Sequence, residues 1–304
     1  MPGETTGPYE HAFTEAAEHL RALADVMARY PRFDSPAKAM ATREARDDSF
    51  DDLWGRPTFE LLHEPAVRVS VVVDHLRALA AATDAPGVIV SIATLVRPAL
   101  ESLGALNYLY DPAIATRERV RRRYNARLAS LREQWAIAAS VGDSRMSAAA
   151  TAEVEAKIDE IGESAQRHGY QYVESKSRFA GQIGARYLDS RPPTDAQLVS
   201  ALFAEGEAVG LGRLVHRMTS AVIHGQAHAL LPYLQHVRDS DEEGVVEAAV
   251  GIDLRWFAIL TGSVVISSNS VQHRLIQHFG WSQGPWDLVA QPAIIDWREW
   301  LAVS

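Results

Sequence analysis

Apolar residues recur at three- and four-residue intervals along most of this chain, and runs that alternate apolar with polar residues are nearly absent. Phe13, Ala16, Leu20, Leu23 and Val26–Met27 keep that spacing near the start. Val69, Val72, Val73, Leu76, Leu79 and Ala80 keep it after Pro65, and Val154, Ile158 and Ile161 repeat it later. A 3.6-residue period gives each helix one apolar stripe, which must be buried against other helices. With 304 residues, 47% of them hydrophobic, the chain is long enough to bury a large core. The expected class is all-α: a multi-helix bundle forming one domain over 1–304, its core at about 65–280. Helices within 10–64 and a tail at 281–304 holding Trp281, Trp286, Trp297 and Trp300 are expected to pack on that core.

Turn residues divide the pattern. Pro65 is read as a helix start, and Pro98 as a kink or a second start. Gly142–Asp143 separates 114–140 from 147–168, which are expected to form a long antiparallel hairpin. Residues 170–193, rich in Gly, Arg and Tyr, read as a surface loop, and 239–244 as an acidic loop. Thr194 is placed to cap a short helix. Residues 210–234 read as one long helix.

Several function classes are excluded by composition. The chain has no cysteine, so neither disulfides nor thiolate metal sites are available. Its net charge of -9 opposes an extended nucleic-acid surface, though not a local basic patch. No basic-then-apolar leader opens the chain, and the most apolar late stretch is interrupted by Asp253 and Arg255. A cytoplasmic protein without a membrane span is expected. There is no Walker phosphate loop, and GLGRLV at 210–215 follows no strand, so a dinucleotide fold is not indicated.

Polar groups that carry chemistry gather in 210–234: His216, Arg217, Ser220, His224 and His228. Arg217 and His224 are separated by about 20° around a helix axis and about two turns along it, so they share a face. Earlier in the chain, RPALESLGALNYLYDP at 97–112 sets Arg97 four residues from Glu101. The Arg217-x6-His224 spacing, with Arg97-x3-Glu101 and Ser220-x3-His224-Gly225, resembles the HEPN superfamily of all-helical nucleotide-binding domains over roughly 65–235. Many members of that superfamily are metal-independent ribonucleases, often toxins or effectors of phage defence. The resemblance implies RNA as partner, a homodimer whose two copies line one cleft, and no cofactor. It implies that His224 acts on the ribose 2′-hydroxyl or the leaving 5′-oxygen, while Arg217 stabilises charge on phosphate. Ser220, Arg97, Glu101 and His228 would stand behind that pair.

Two other readings stay open. Met218 occupies the position where active members carry a polar residue, which favours a non-catalytic ligand-binding or protein-interaction module, with Arg217 paired to Glu101, Glu205 or Glu207. His224-x3-His228 and Glu60-x2-His63 have spacings that a His/carboxylate metalloenzyme of di-iron type can use. The run Arg121, Arg122, Arg123 can bind nucleic-acid phosphates, with Tyr124 as a stacking surface, or form a face neutralised by Glu118 and Glu133.

Overall fold

A computed structural model describes residues 10–30, 34–85, 87–141, 145–177, 183–204, 210–239 and 246–302. Its class is all-α. The described helices are α1 (Glu10–Arg29), α2 (Met40–Ala45), α3 (Pro57–Asp84), α4 (Val90–Leu109), α5 (Thr116–Ser140), α6 (Arg145–Arg167), α7 (Asp195–Ala201), α8 (Leu211–Ile223), α9 (Ala227–Leu230), α10 (Leu254–Phe279) and α11 (Gly284–Ala302). Strands β1 (Tyr172–Glu174) and β2 (Arg186–Leu188) form one antiparallel ribbon, and β3 (Leu234–Asp239) and β4 (Val246–Val250) another. No described helix is long and apolar enough to cross a membrane.

Several boundaries differ from those expected. Helix α3 begins at Pro57 and runs through Pro65. A proline has no N–H to give the carbonyl four residues back. Here that carbonyl, on Leu61, accepts the Tyr110 hydroxyl at 2.7 Å, so the buried helix continues without an orphaned acceptor. Helix α4 starts before Pro98 and continues past it, so of the two readings of Pro98 the second start is not seen. Residues 170–193 are not all loop. Asn125 on α5 donates to and accepts from the backbone of Leu188, acting as an extra edge partner for β2. Residues 142–144, 205–209 and 240–245 lie outside the described set, so the break at Gly142–Asp143, the acidic loop, and Glu205 and Glu207 are not described.

Two apolar clusters organise the helices. The larger gathers α1, α3, α4, α8, α10 and α11, with Leu20, Leu76, Leu103, Phe257 and Phe279 buried in it. Trp286 and Trp297 are fully buried there, and Trp297 Nε1 donates to Thr261 Oγ1 at 2.7 Å. The smaller joins α5 and α6 through Val120, Tyr124, Leu128, Leu131, Val154, Ile158 and Ile161. Trp135 Nε1 bonds Glu155, Ser147 Oγ bonds the Ala138 carbonyl, and Arg117 bonds the His168 carbonyl.

Helix α7 is wedged between α4 and α8 because glycines let it approach closely. A Cβ on Gly104 would lie 3.0 Å from the Leu198 carbonyl carbon, and one on Gly212 only 2.5 Å from the Val199 oxygen. Gly212→Ala is therefore expected to destabilise the protein by about 1–3 kcal/mol, as overpacking does. Gly284→Ala, whose Cβ meets nothing within 4 Å, is expected to be close to neutral. Urea unfolding of the two variants beside wild type checks the contrast.

Candidate functional site on helix α8

Helix α8 is shorter than the single 210–234 helix expected. Gly225 adopts φ 63, and the Gly225 and Gln226 amides donate back to the Val222 and Ala221 carbonyls. That pair of bonds is the Schellman termination, in which a left-handed residue, cheapest for glycine, closes the helix. His224 becomes the C-cap and still bonds helically to the Ser220 carbonyl. The chain then turns into α9, a short 3₁₀ segment at Leu231–Tyr233, and β3.

One side of α8 is sealed by Gly212, Val215, Thr219, Ala221 and Val222. Arg213, Arg217 and His224 are exposed, with Ser220 half-buried between them. At 100° per residue these four positions fall within about 60° around the axis, so they make one polar stripe along the helix. Arg217 and His224 are thus both open to solvent, as the sequence reading required. Arg213 was missed there, although its four-residue offset from Arg217 is the signal that finds it.

Helix α4 packs beside this stripe and brings Arg97 and Glu101 with it. Arg97 Nε donates to Glu101 Oε1 at 2.7 Å. The same oxygen lies 3.5 Å from His216 Nε2, an ion-pair distance without a well-formed hydrogen bond. Glu101 thus faces His216 and not Arg217. His228, on α9, is exposed.

The arginine run is placed differently from a phosphate-binding surface. Arg121 makes two 2.7 Å bonds to Glu118 and reaches the Leu188 carbonyl and Ser190. Arg122 bonds Glu118 and the Tyr108 carbonyl, and its guanidinium lies 4.1 Å over the Tyr108 ring. Arg123 pairs with Glu60 at 2.7 Å and Glu64 at 3.3 Å. Their side chains are only 12–15% exposed, and Tyr124 is buried with its hydroxyl on the Trp54 carbonyl. Of the two readings of Arg121, Arg122 and Arg123, this pairing favours the neutralised face: each guanidinium holds a carboxylate at a helix seam.

No family model, curated protein or solved structure matches this chain.

The di-iron spacing fares no better geometrically. Glu60 is taken by Arg123, His63 packs on Phe59 with ring centroids 4.5 Å apart, and no group of three or more His, Asp or Glu suited to hold a metal occurs among the described residues. Sequence reading also missed a buried charge cluster. Arg119, fully buried, donates to Glu44 at 3.2 Å, and His278 Nε2 lies 3.6 Å from the other Glu44 oxygen. Burial pushes the Glu44 carboxyl up, against the pull of Arg119. It pushes His278 down to about 3, aided by the same guanidinium.

Glu118 provides a pH test of the arginine seam. Hydrogen bonds from Arg121 hold its carboxyl down to about 2, against partial burial and with help from Arg122. A carboxyl lower in the folded than the unfolded state adds stability that is complete above about 4.5 and lost as pH falls toward about 2. Glu118→Gln is expected to remove that acid-dependent loss and to cost on the order of 1 kcal/mol at pH 7, since solvent screens the half-exposed side. Urea midpoints from pH 7 to pH 2 measure both effects.

Proposed function

We propose that the α8 stripe is an RNA-binding and metal-independent RNA-cleaving site of HEPN-like type. The observation that carries this reading is the joint exposure of Arg217 and His224 on one stripe at the open end of α8. In this reaction the ribose 2′-oxygen forms a bond to phosphorus, the bond to the 5′-oxygen breaks, and one proton leaves the 2′-hydroxyl while another reaches the 5′-oxygen. One His224 imidazole makes one of these transfers, and the equivalent imidazole of a second copy makes the other. Arg217 meets the charge that builds on the phosphate oxygens. Arg213, one turn before Arg217 on the same stripe, holds a neighbouring phosphate.

Supporting features surround the stripe. Leu214 and Ile223 flank it and are 48% and 44% exposed, and Leu231 is 62% exposed just beyond α9. They offer an apolar rim on which a second copy can close. Glu101 is bonded to Arg97 and lies near His216, and no ion pair between Glu101 and Arg217 occurs among the described residues.

The second reading, a non-catalytic interaction module, draws on that same apolar rim and on Met218, which is partly buried against the core. One assay separates the two. Full-length protein is incubated with end-labelled single-stranded RNA in EDTA, and products are resolved on a gel. Cleavage is expected, with His224→Ala and Arg217→Ala each slower by about 100-fold or more while both keep wild-type unfolding midpoints. An intact RNA, or equal cleavage by His224→Ala, contradicts the nuclease and leaves the module.

A further inference from the structure

A cavity of about 190 Å³ lies between α3, α4, α5 and the approach to α7, away from the α8 stripe. Of the α4 and α5 residues that line it, Ala105, Ala126 and Ala129 carry only methyl groups, beside Tyr108, Leu109, Arg122 and Asn125. Pro192, Pro193 and Leu198 line it as well, and its wall is mostly apolar. Two guanidiniums stand at its edge. Arg68 uses Nε on Glu64 at 2.7 Å, and Arg122 uses Nε and Nη1 on Glu118 and the Tyr108 carbonyl. Both Nη groups of Arg68 and Nη2 of Arg122 have no bond to another described residue. The Arg122 guanidinium carbon lies 4.1 Å over the Tyr108 ring, a contact that holds it beside the slot. Among the lining residues one carboxylate is present, Asp195, and it is exposed at the mouth.

We infer that this slot binds a small monocarboxylate with a flat apolar body, of about the size of benzoate. The volume equals that of about six waters at ~30 Å³ each, which suits a body of one ring. The ring lies over the alanines, and the carboxylate takes the free guanidinium edges, an arrangement these planar donors favour. Inorganic phosphate has no apolar body to fill the slot, and an uncharged amide gives the guanidiniums no anion.

Calorimetric titration of the full-length protein with sodium benzoate tests the inference, with benzamide and inorganic phosphate as comparison probes. Benzoate is expected to saturate with a Kd roughly between micromolar and millimolar, and benzamide and phosphate to bind at least about tenfold more weakly. Ala129→Leu fills the slot and is expected to abolish benzoate binding. Arg68→Gln, at a partly exposed position, is expected to weaken it about tenfold with the fold intact by circular dichroism. Absence of saturation up to about 20 mM benzoate overturns the inference. So does benzamide binding as tightly as benzoate, or benzoate binding that Arg68→Gln leaves unchanged.

Discussion

A fully buried guanidinium spans the seam between the two apolar clusters of this fold. Arg119 sits on α5 next to Val120, whose side chain belongs to the smaller cluster, yet it reaches into the seam with the larger one. It donates to the carbonyl of Leu109 at the end of α4, to those of Asp111 at 3.2 Å and Ile114 at 3.4 Å, and to Glu44 on α2. Those carbonyls belong to a helix end and the turn after it, which lack intrahelical partners. A charge this deep is tolerated only when paired and fully bonded, so the geometry of α2, α4 and α5 is set together.

The rest of the molecule follows from that fixed corner. With the start of α5 locked, Arg121, Arg122 and Arg123 point at Glu118, Glu60 and Glu64 and close the seams toward α3 and the β1–β2 ribbon. The α4 axis, held at its far end, carries Arg97 and Glu101 beside α8 and receives α7 against Gly104. Helix α8 thereby presents Arg213, Arg217, Ser220 and His224 outward on a rigid backing. A stripe on a packed helix is better ordered than one on a loop, which is what an acid–base group and its phosphate anchor require.

Much of this was legible in the sequence, for physical reasons. Helical spacing in 10–29, 69–80 and 154–161 marks buried stripes, and these residues do line the clusters. The exposure of Arg217 and His224 follows from their sharing a face with Arg213 and Ser220, away from Val215 and Val222. Three things were not legible. Gly225 could have been an ordinary helical glycine, and only its left-handed backbone ends α8 there. Pro65 looked like a start because the hydroxyl that rescues Leu61 comes from Tyr110, 49 positions away. In the arginine run Glu118 was legible as a local partner of Arg121 and Arg122, but Glu60 and Glu64, which neutralise Arg123, are distant in sequence. Long-range pairing of charges leaves no local pattern to read.

The joining role of Arg119 is tested most directly by amide hydrogen exchange of Arg119→Met beside wild type under native conditions. In wild type the amides of α5 and α6 should open together with those of α1, α3 and α10. In the variant the α5–α6 amides should exchange at least about tenfold sooner than those of the larger cluster, because the seam loosens once the guanidinium that ties α5 to α2 and to the end of α4 is gone. Protection lost equally in both clusters, or unchanged in both, would contradict the view that this one side chain couples them.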